Sequence, residues 1–258
     1  MIAPIERLGR RSLDALGDLG RFALFGVDVL IASVSRPIRI RRFIDELYGI
    51  GVLSLSIVCL SGVAVGLLLA LQGYNLLVRF GSEELLGTAV GLSLIRELGP
   101  LLTALLVAGR AGSAIAAEIG TMVATEQLDG LRMMSVDPID LVVSPKAVAM
   151  IVAMPLLSAL FIVVALFAGY LLGTGTLGVD GGSYVSSLQN SVTFREDVLG
   201  SFLKAVLFGT LVGLVATHRG YTSEPTSAGV SHATTQTVVI ASVATLILDY
   251  FVTALWEF

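Results

Sequence analysis

Ionisable residues interrupt the apolar stretches of this 258-residue sequence at a few positions. Arg96 and Glu97 are adjacent, within Leu94-Ile-Arg-Glu-Leu-Gly-Pro100. In a membrane such charges are costly, and they are tolerated where they face a cavity or a partner. Neighbours on a helix point about 100° apart, so these two side chains need not pair with each other. The pair indicates either a polar patch in which Arg96 binds an anionic head group, or a structural ion network or interfacial charge.

Two other pairs of ionisable residues leave similar alternatives open. Lys204 and Asp249 each stand in a later apolar stretch. They are partners across a helix bundle, ligands of a substrate, or interfacial charges that reach outward to water. Arg110 and Glu118 lie eight residues apart, near one face of a helix, and predict structural contacts with a neighbouring helix.

A third polar cluster, residues 125–138, predicts a short helix of roughly ten residues. Thr125 is its candidate N-cap, and Asp137-Pro138 would end it. Its apolar residues at helical spacing are Leu128, Leu131 and Met134. Such spacing is typical of a helix that docks in a groove of a partner protein. The alternative is a connector that rests on the membrane surface.

The composition excludes several classes of protein. Hydrophobic residues make up 55% of the chain and charged residues only 14%, against roughly 25% charged in soluble domains. A net charge of -4 argues against a nucleic-acid partner. One cysteine, two histidines and the absence of G-x-x-x-x-G-K-[ST] and H-E-x-x-H motifs leave no disulfide, metal or nucleotide site in the sequence. Any energy source must be another protein or an ion gradient, and we expect no enzymatic activity or cofactor on this chain.

Five apolar stretches predict an all-α membrane protein with about five transmembrane helices, at ~20 residues each. The stretches are residues 47–78, 85–117, 147–179, 198–217 and 234–256. The first is too long for a simple crossing, so it tilts, breaks at a glycine or extends beyond the membrane. Small residues four apart, such as Gly62/Gly66 and Gly209/Gly213, let helices approach closely in lipid.

Residues 1–42 form a separate N-terminal segment that holds eight arginines and four acidic residues. Its apolar residues recur at helical spacing, which predicts an amphipathic helix in the membrane interface or, alternatively, a soluble helix docked on a partner. Clustered arginine places this end in the cytoplasm. Five spans then place the C-terminus in the periplasm, with loops 122–146 and 218–233 cytoplasmic and loops 79–90 and 174–197 on the other side.

Three longer motifs resemble the MlaE family of ABC-transporter permeases. They are Gly99-Pro-Leu-Leu-Thr-Ala-Leu-Leu-Val-Ala-Gly-Arg-Ala-Gly-Ser-Ala-Ile-Ala-Ala-Glu-Ile-Gly-Thr-Met122, Leu71-Gln-Gly-Tyr74 and Pro225-Thr-Ser-Ala-Gly-Val-Ser231. The resemblance runs from about residue 5 to the C-terminus. Since residues 1–42 form the separate N-terminal segment, residues 43–258 would form the permease domain. It implies a multi-pass protein of the bacterial inner membrane.

The family resemblance also implies partners and cargo. They are a second copy of the permease, two ABC ATPase subunits that bind ATP and Mg, a hexameric periplasmic MCE-domain protein and a STAS-domain protein. The implied cargo is phospholipid, moved between the inner membrane and the MCE protein to maintain outer-membrane lipid asymmetry. The resemblance leaves open the direction of transport and the preferred head group.

Two sets of residues take roles from the resemblance. The lipid cavity at the dimer interface is assigned to Arg96, Glu97, Leu69, Leu76, Leu77, Phe80 and Leu98. Contact with the ATPase, through a coupling helix between spans two and three, is assigned to Glu126, Gln127, Asp129, Leu131, Arg132, Met133 and Met134. Lys204 and Asp249 remain candidate substrate ligands from their position in apolar stretches.

Three rival functions stay open on the sequence. The first is the same machinery with another apolar cargo, such as a sterol. The second is a secondary transporter driven by ions, although the chain shows no internal repeat of the kind many such transporters contain. The third is a membrane scaffold that transports nothing.

Overall fold

The computed structural model describes residues 3–35 and 40–256, with side chains described for 17–33 and 40–255. Every regular element in these ranges is a helix. The α-helices are α1 (Ala3–Ser35), α2 (Ile40–Ile50), α3 (Leu55–Leu77), α4 (Leu86–Ser93), α5 (Gly99–Val107), α6 (Ser113–Ala124), α7 (Gln127–Met133), α8 (Ser144–Gly175), α9 (Gly181–Ser191), α10 (Leu199–Tyr221) and α11 (Ser227–Trp256).

Five helical segments are long and apolar enough to cross a membrane, which confirms the predicted all-α membrane architecture. They are Ile40–Phe80, Glu83–Ala124, Ile139–Gly175, Phe194–Tyr221 and Ser227–Leu255. These spans begin earlier or end later than the apolar stretches of the sequence. The extensions carry charged residues, among them Lys146 and Arg219, which the sequence prediction had assigned to loops.

Glycines in the first span act as packing sites, so the span does not break at them. Helix α3 is continuous through Gly62 and Gly66, and both glycines lie against α8. A Cβ on Gly66 would stand 2.1 Å from the carbonyl oxygen of Ala165, so only glycine permits this close approach. The irregular turn of this span lies instead at Val52–Ser54, between α2 and α3.

Residues 174–197, which were predicted as a loop, include the helix α9. The Asp180 carboxylate caps the helix by accepting a hydrogen bond from Ser183 N at 2.8 Å. Tyr184 is buried, and burial raises its pKa to about 12. Gly87 lets α4 approach α9 closely, because a Cβ at this position would lie 2.1 Å from the Tyr184 carbonyl oxygen.

The predicted N-terminal helix is present as α1, and part of it packs on the bundle. Phe25 and Val29 are buried against Val143 and Ala147, at the start of the third span. Other apolar residues of α1 stay exposed, including Leu24 and several of its neighbours. Placement of this helix in the membrane interface remains a prediction. Of the eight arginines, Arg36 and Arg39 lie outside the described residues, as do the side chains of Arg7, Arg10 and Arg11.

Candidate functional site

The ammonium group of Lys204 is the centre of a buried polar cluster. Its Nζ donates hydrogen bonds to Glu97 Oε1 at 2.8 Å, to Thr253 Oγ1 at 2.7 Å and to the Arg96 carbonyl oxygen at 2.9 Å. It also lies 3.3 Å from Asp249 Oδ1, an ion pair without hydrogen-bond geometry. The three hydrogen bonds use all three donors of the ammonium group. Lys204 therefore joins the second, fourth and fifth spans.

Arg96 pairs with a different carboxylate, that of Asp197 on the fourth span. Arg96 Nε donates to Asp197 Oδ1, and Asp197 Oδ2 accepts from Thr193 N at 2.6 Å. The Asp197 side chain is 1% exposed, whereas that of Arg96 is 49% exposed. Among the described residues, the two terminal guanidinium nitrogens of Arg96 donate to no side chain. They are therefore available to an anionic group that enters from outside.

Arg96, Glu97 and Asp197 all lie in widened, π-helical turns. One turn is Leu94–Leu98 and the other is Phe194–Val198. Turns of this kind occur often at functional sites, because they redirect side chains within a helix. Adjacent Arg96 and Glu97 consequently reach different partners, as the sequence allowed.

A cavity of about 670 Å³ opens beside these side chains. Its polar walls include Arg96, Glu97, Arg195, Asp197, Lys204 and Thr253. The volume lies within the range of small-molecule sites. Arg96 is 13 residues from the start of its span and 28 from its end, which corresponds to ~20 and ~42 Å along a helix. The cavity therefore lies toward the end of the bundle that is opposite α7.

The five apolar residues assigned to the lipid cavity lie elsewhere in the single chain. None of them lines the 670 Å³ cavity. Leu69, Leu77 and Leu98 are half-buried and pack against the core. Leu76 and Phe80 are exposed at the end of the first span, Phe80 by 75%. The structure thus brings together Arg96, Glu97, Lys204 and Asp249. It does not bring the five apolar residues to them.

The predicted coupling residues lie on and beside α7. Six of the seven are exposed, and Leu131 is half-buried against the core. The helix is shorter than predicted and begins after Glu126, which adopts a left-handed conformation with φ 58°. Thr125 does not cap it, because the Thr125 hydroxyl donates to the Thr121 carbonyl oxygen. Of the predicted apolar contacts, Leu128 faces the core and Met134 faces outward.

Two cationic side chains, Arg132 and Lys146, make polar contacts on and beside α7. Arg132 donates to Asp129 Oδ1 at 2.8 Å and to the Tyr221 hydroxyl, at the end of the fourth span, at 2.7 Å. Lys146, only 2% exposed, donates to Glu46 and Glu118 at 2.7 Å each. Since Glu118 precedes α7 and Lys146 follows it, this ion pair joins the two spans that flank the helix.

Sequence reasoning missed several partners in these networks. Asp197 and Thr253 were not singled out, and Lys146 was counted only as a positive charge. Their partners are 28 to 156 residues away, so no local spacing indicates the contacts. The predicted structural roles of Arg110 and Glu118 agree with the structure: Arg110 donates to the Gly49 carbonyl oxygen at 2.6 Å, and Glu118 pairs with Lys146.

Comparison with known proteins gives a consistent set of relatives. A family model described as Permease MlaE matches residues 43–255. The chain is 48% identical to the intermembrane phospholipid transport system permease protein MlaE of Haemophilus influenzae, over 97% of this chain and 96% of that protein.

More distant relatives carry less specific descriptions. A probable ABC transporter permease protein of Rickettsia bellii is 38% identical over 96% of each chain. The chloroplastic protein trigalactosyldiacylglycerol 1 of Arabidopsis thaliana is 30% identical over 86% of this chain and 63% of its own length. The similarity thus extends across bacterial and plant proteins and covers most of the present chain.

Proposed function

This chain belongs to the MlaE permease family, and we propose that it moves phospholipid as the membrane subunit of an ABC transporter. The exchange is between the bacterial inner membrane and a hexameric periplasmic MCE-domain protein, and it serves outer-membrane lipid asymmetry. The 48% identical relative is named as a phospholipid transport permease. Five membrane-spanning helices suit a multi-pass subunit of the inner membrane.

The observation that carries this proposal is the half-exposed Arg96 on the wall of a cavity within the spans. The planar guanidinium group of an arginine binds a phosphodiester through two parallel hydrogen bonds to its oxygens. Asp197 holds one side of Arg96 and leaves its terminal nitrogens for the phosphate. Glu97 and Lys204 form the adjoining polar wall, and Asp249 pairs with Lys204.

The acyl chains require a larger apolar surface than Leu199 and Val252 provide in the single-chain cavity. We place it on a second copy of the chain, with Leu76, Leu77 and Phe80 as part of the wall at a homodimer interface. The exposure of Leu76 and Phe80 supports this assignment, since both are free to meet a partner. Leu69 and Leu98 would contribute from their half-buried positions.

We assign the energy source to two ABC ATPase subunits, which supply ATP and Mg in trans and act with the STAS-domain protein. Helix α7 is the contact surface, because its exposed residues include charged and apolar side chains. ATP-driven closure of the ATPases would displace α7, and the Lys146 and Arg132 contacts would pass the movement to the spans. Those spans hold Arg96 and Lys204, so the cavity would collapse and expel the lipid.

The proposed orientation places the N-terminus and α7 in the cytoplasm and the C-terminus in the periplasm. Arginine clusters in the N-terminal segment, as cytoplasmic segments of membrane proteins require. The ionic cavity then opens toward the periplasmic side, where an MCE-domain protein would receive or deliver lipid.

The proposal is tested by the lipid that co-purifies with two variants, Arg96→Gln and Arg96→Gln/Asp197→Asn. The single variant leaves Asp197 buried without its cation, which destabilises a protein by about 3–5 kcal/mol. The double variant removes both charges, so no buried carboxylate is left without a cation. We expect it to melt like the wild type yet to hold at least one phospholipid per dimer fewer, counted by native mass spectrometry.

The matched control is Arg79→Gln, which removes an exposed arginine at the end of the first span. It should retain phospholipid at the wild-type level. Wild-type lipid content in the double variant would show that Arg96 serves only to neutralise Asp197, and it would overturn the head-group assignment.

A further inference from the structure

A second cavity, of about 810 Å³, lies at the end of the bundle beside α7. It is bounded by α1, the fourth span and the fifth span. It shares no residue with the ionic cavity around Arg96, and the proposed transport cycle makes no use of it.

The walls of this cavity are arranged in layers along the spans. Arg219 is level with Gln236, since Arg219 Nη1 donates to the Gln236 side-chain oxygen at 3.1 Å. Val215 and Ile240 each lie four residues further into their spans, about 6 Å deeper. Leu211 and Ala244 lie a further four residues in, about 12 Å below the arginine. One polar layer therefore stands above two apolar layers.

Helix α1 closes the side of the cavity with apolar and cationic groups. The rings of Phe22 and Phe25 stand edge-on to the His218 ring, at 5.3 and 5.1 Å between centroids. Arg21 reaches the same rim and pairs with Asp18. Arg219 meets no carboxylate among the described residues, so the rim carries two guanidinium groups against one carboxylate.

We propose that this cavity binds one phospholipid from the leaflet on the α7 side. Its phosphate lies between Arg21 and Arg219, and an acyl chain follows the layers of Val215 and Leu211. A charged head above two apolar layers matches an elongated amphiphile, and the excess of one positive charge matches one phosphodiester. The bound lipid would hold α1 against the fourth and fifth spans. The inference does not depend on transport by the ionic cavity.

The test uses photoactivatable phosphatidylglycerol, with a diazirine on its acyl chain, added to the full-length protein in nanodiscs. The comparison probe is a diacylglycerol with the same acyl diazirine but no phosphate. We expect the phospholipid to label the segment 211–222 at least fivefold more than the diacylglycerol does. The phospholipid should label the Arg21→Gln/Arg219→Gln variant about tenfold less than it labels the wild type.

The matched control, Arg41→Gln/Arg79→Gln, removes two charges that do not line the cavity. This variant should be labelled like the wild type. Ala244→Phe fills the apolar layer with both arginines in place, and it should also lower the labelling. Equal labelling by the two probes, or labelling unaffected by both the arginine and the Ala244 variants, would overturn the proposal. So would a cross-link between two copies through Cys introduced at Thr222, which would show that a second chain fills the cavity.

Discussion

At the level of single residues, Lys204 shows why the intact ionic cluster is tolerated and why the loss of one member destabilises the protein. An ammonium group inside a membrane-spanning bundle is tolerated because Glu97, Thr253, Asp249 and a main-chain oxygen surround it. The two carboxylates depend on the ammonium group in the same way. Removing Lys204 leaves the mostly buried Asp249 carboxylate without its cation, which costs more than the intact pair contributes.

We predict that Lys204→Met destabilises the protein by about 3–5 kcal/mol, because Glu97 and Asp249 lose their cation. In detergent this corresponds to a fall of roughly 10 °C in the melting midpoint. The triple variant Lys204→Met/Glu97→Gln/Asp249→Asn, which is neutral throughout, should recover most of the loss. If Lys204→Met melts like the wild type, the cluster does not hold the three spans together.

The sequence predicted the members of the ionic cluster better than their pairing. Charges in apolar stretches are rare, so Arg96, Glu97, Lys204 and Asp249 were identified from their positions in such stretches. Asp197 was not, because it stands among other polar residues at the start of a span and looks like a loop residue. Which carboxylate meets which cation depends on helix rotation and packing, and local sequence does not encode either.

At the level of elements, α7 presents an outward apolar side chain that serves no packing purpose in this chain. Met133 is 88% exposed, and burial of a methionine side chain at an interface contributes about 1.5–3 kcal/mol. We predict that Met133→Ala weakens binding of the ATPase by at least tenfold, since 1.4 kcal/mol is about tenfold in Kd. Met133→Glu should abolish binding. Co-purification of the ATPase with the permease measures both.

The control for this variant is Gln189→Glu, which adds the same charge on the exposed face of α9, at the other end of the bundle. It should bind the ATPase normally. Leu131 is a poorer test, because it is half-buried and its loss would also disturb folding. Unchanged ATPase binding by folded Met133→Glu would contradict the coupling role of α7.

Short polar helices were harder to predict than the spans. The α9 segment Gly-Gly-Ser-Tyr-Val-Ser-Ser-Leu-Gln-Asn-Ser has few apolar residues, and it is stabilised by Tyr184 packing and by the Asp180 cap. The cap, Asp180 three residues before Ser183, was the one local signal available. In α7 the cap prediction at Thr125 failed because the preceding helix retains that hydroxyl.

For the whole molecule, the number of spans follows from hydrophobicity, but their limits do not. Runs of ~20 apolar residues identify a crossing regardless of tertiary contacts. The ends were misplaced where charges are neutralised inside the bundle, as at Glu118 and Lys146. Residues 139–146 were consequently assigned to a loop, whereas they begin the third span.

The central claim is that ATP hydrolysis by a partner drives phospholipid past the ionic cavity. The most direct measurement is transfer of a fluorescent phospholipid between the MCE-domain protein and proteoliposomes that hold the permease with its ATPase. We predict transfer that requires ATP and falls at least tenfold in the Arg96→Gln/Asp197→Asn variant. Transfer at an undiminished rate without the ATPase, or transfer of a sterol in place of phospholipid, would contradict the account.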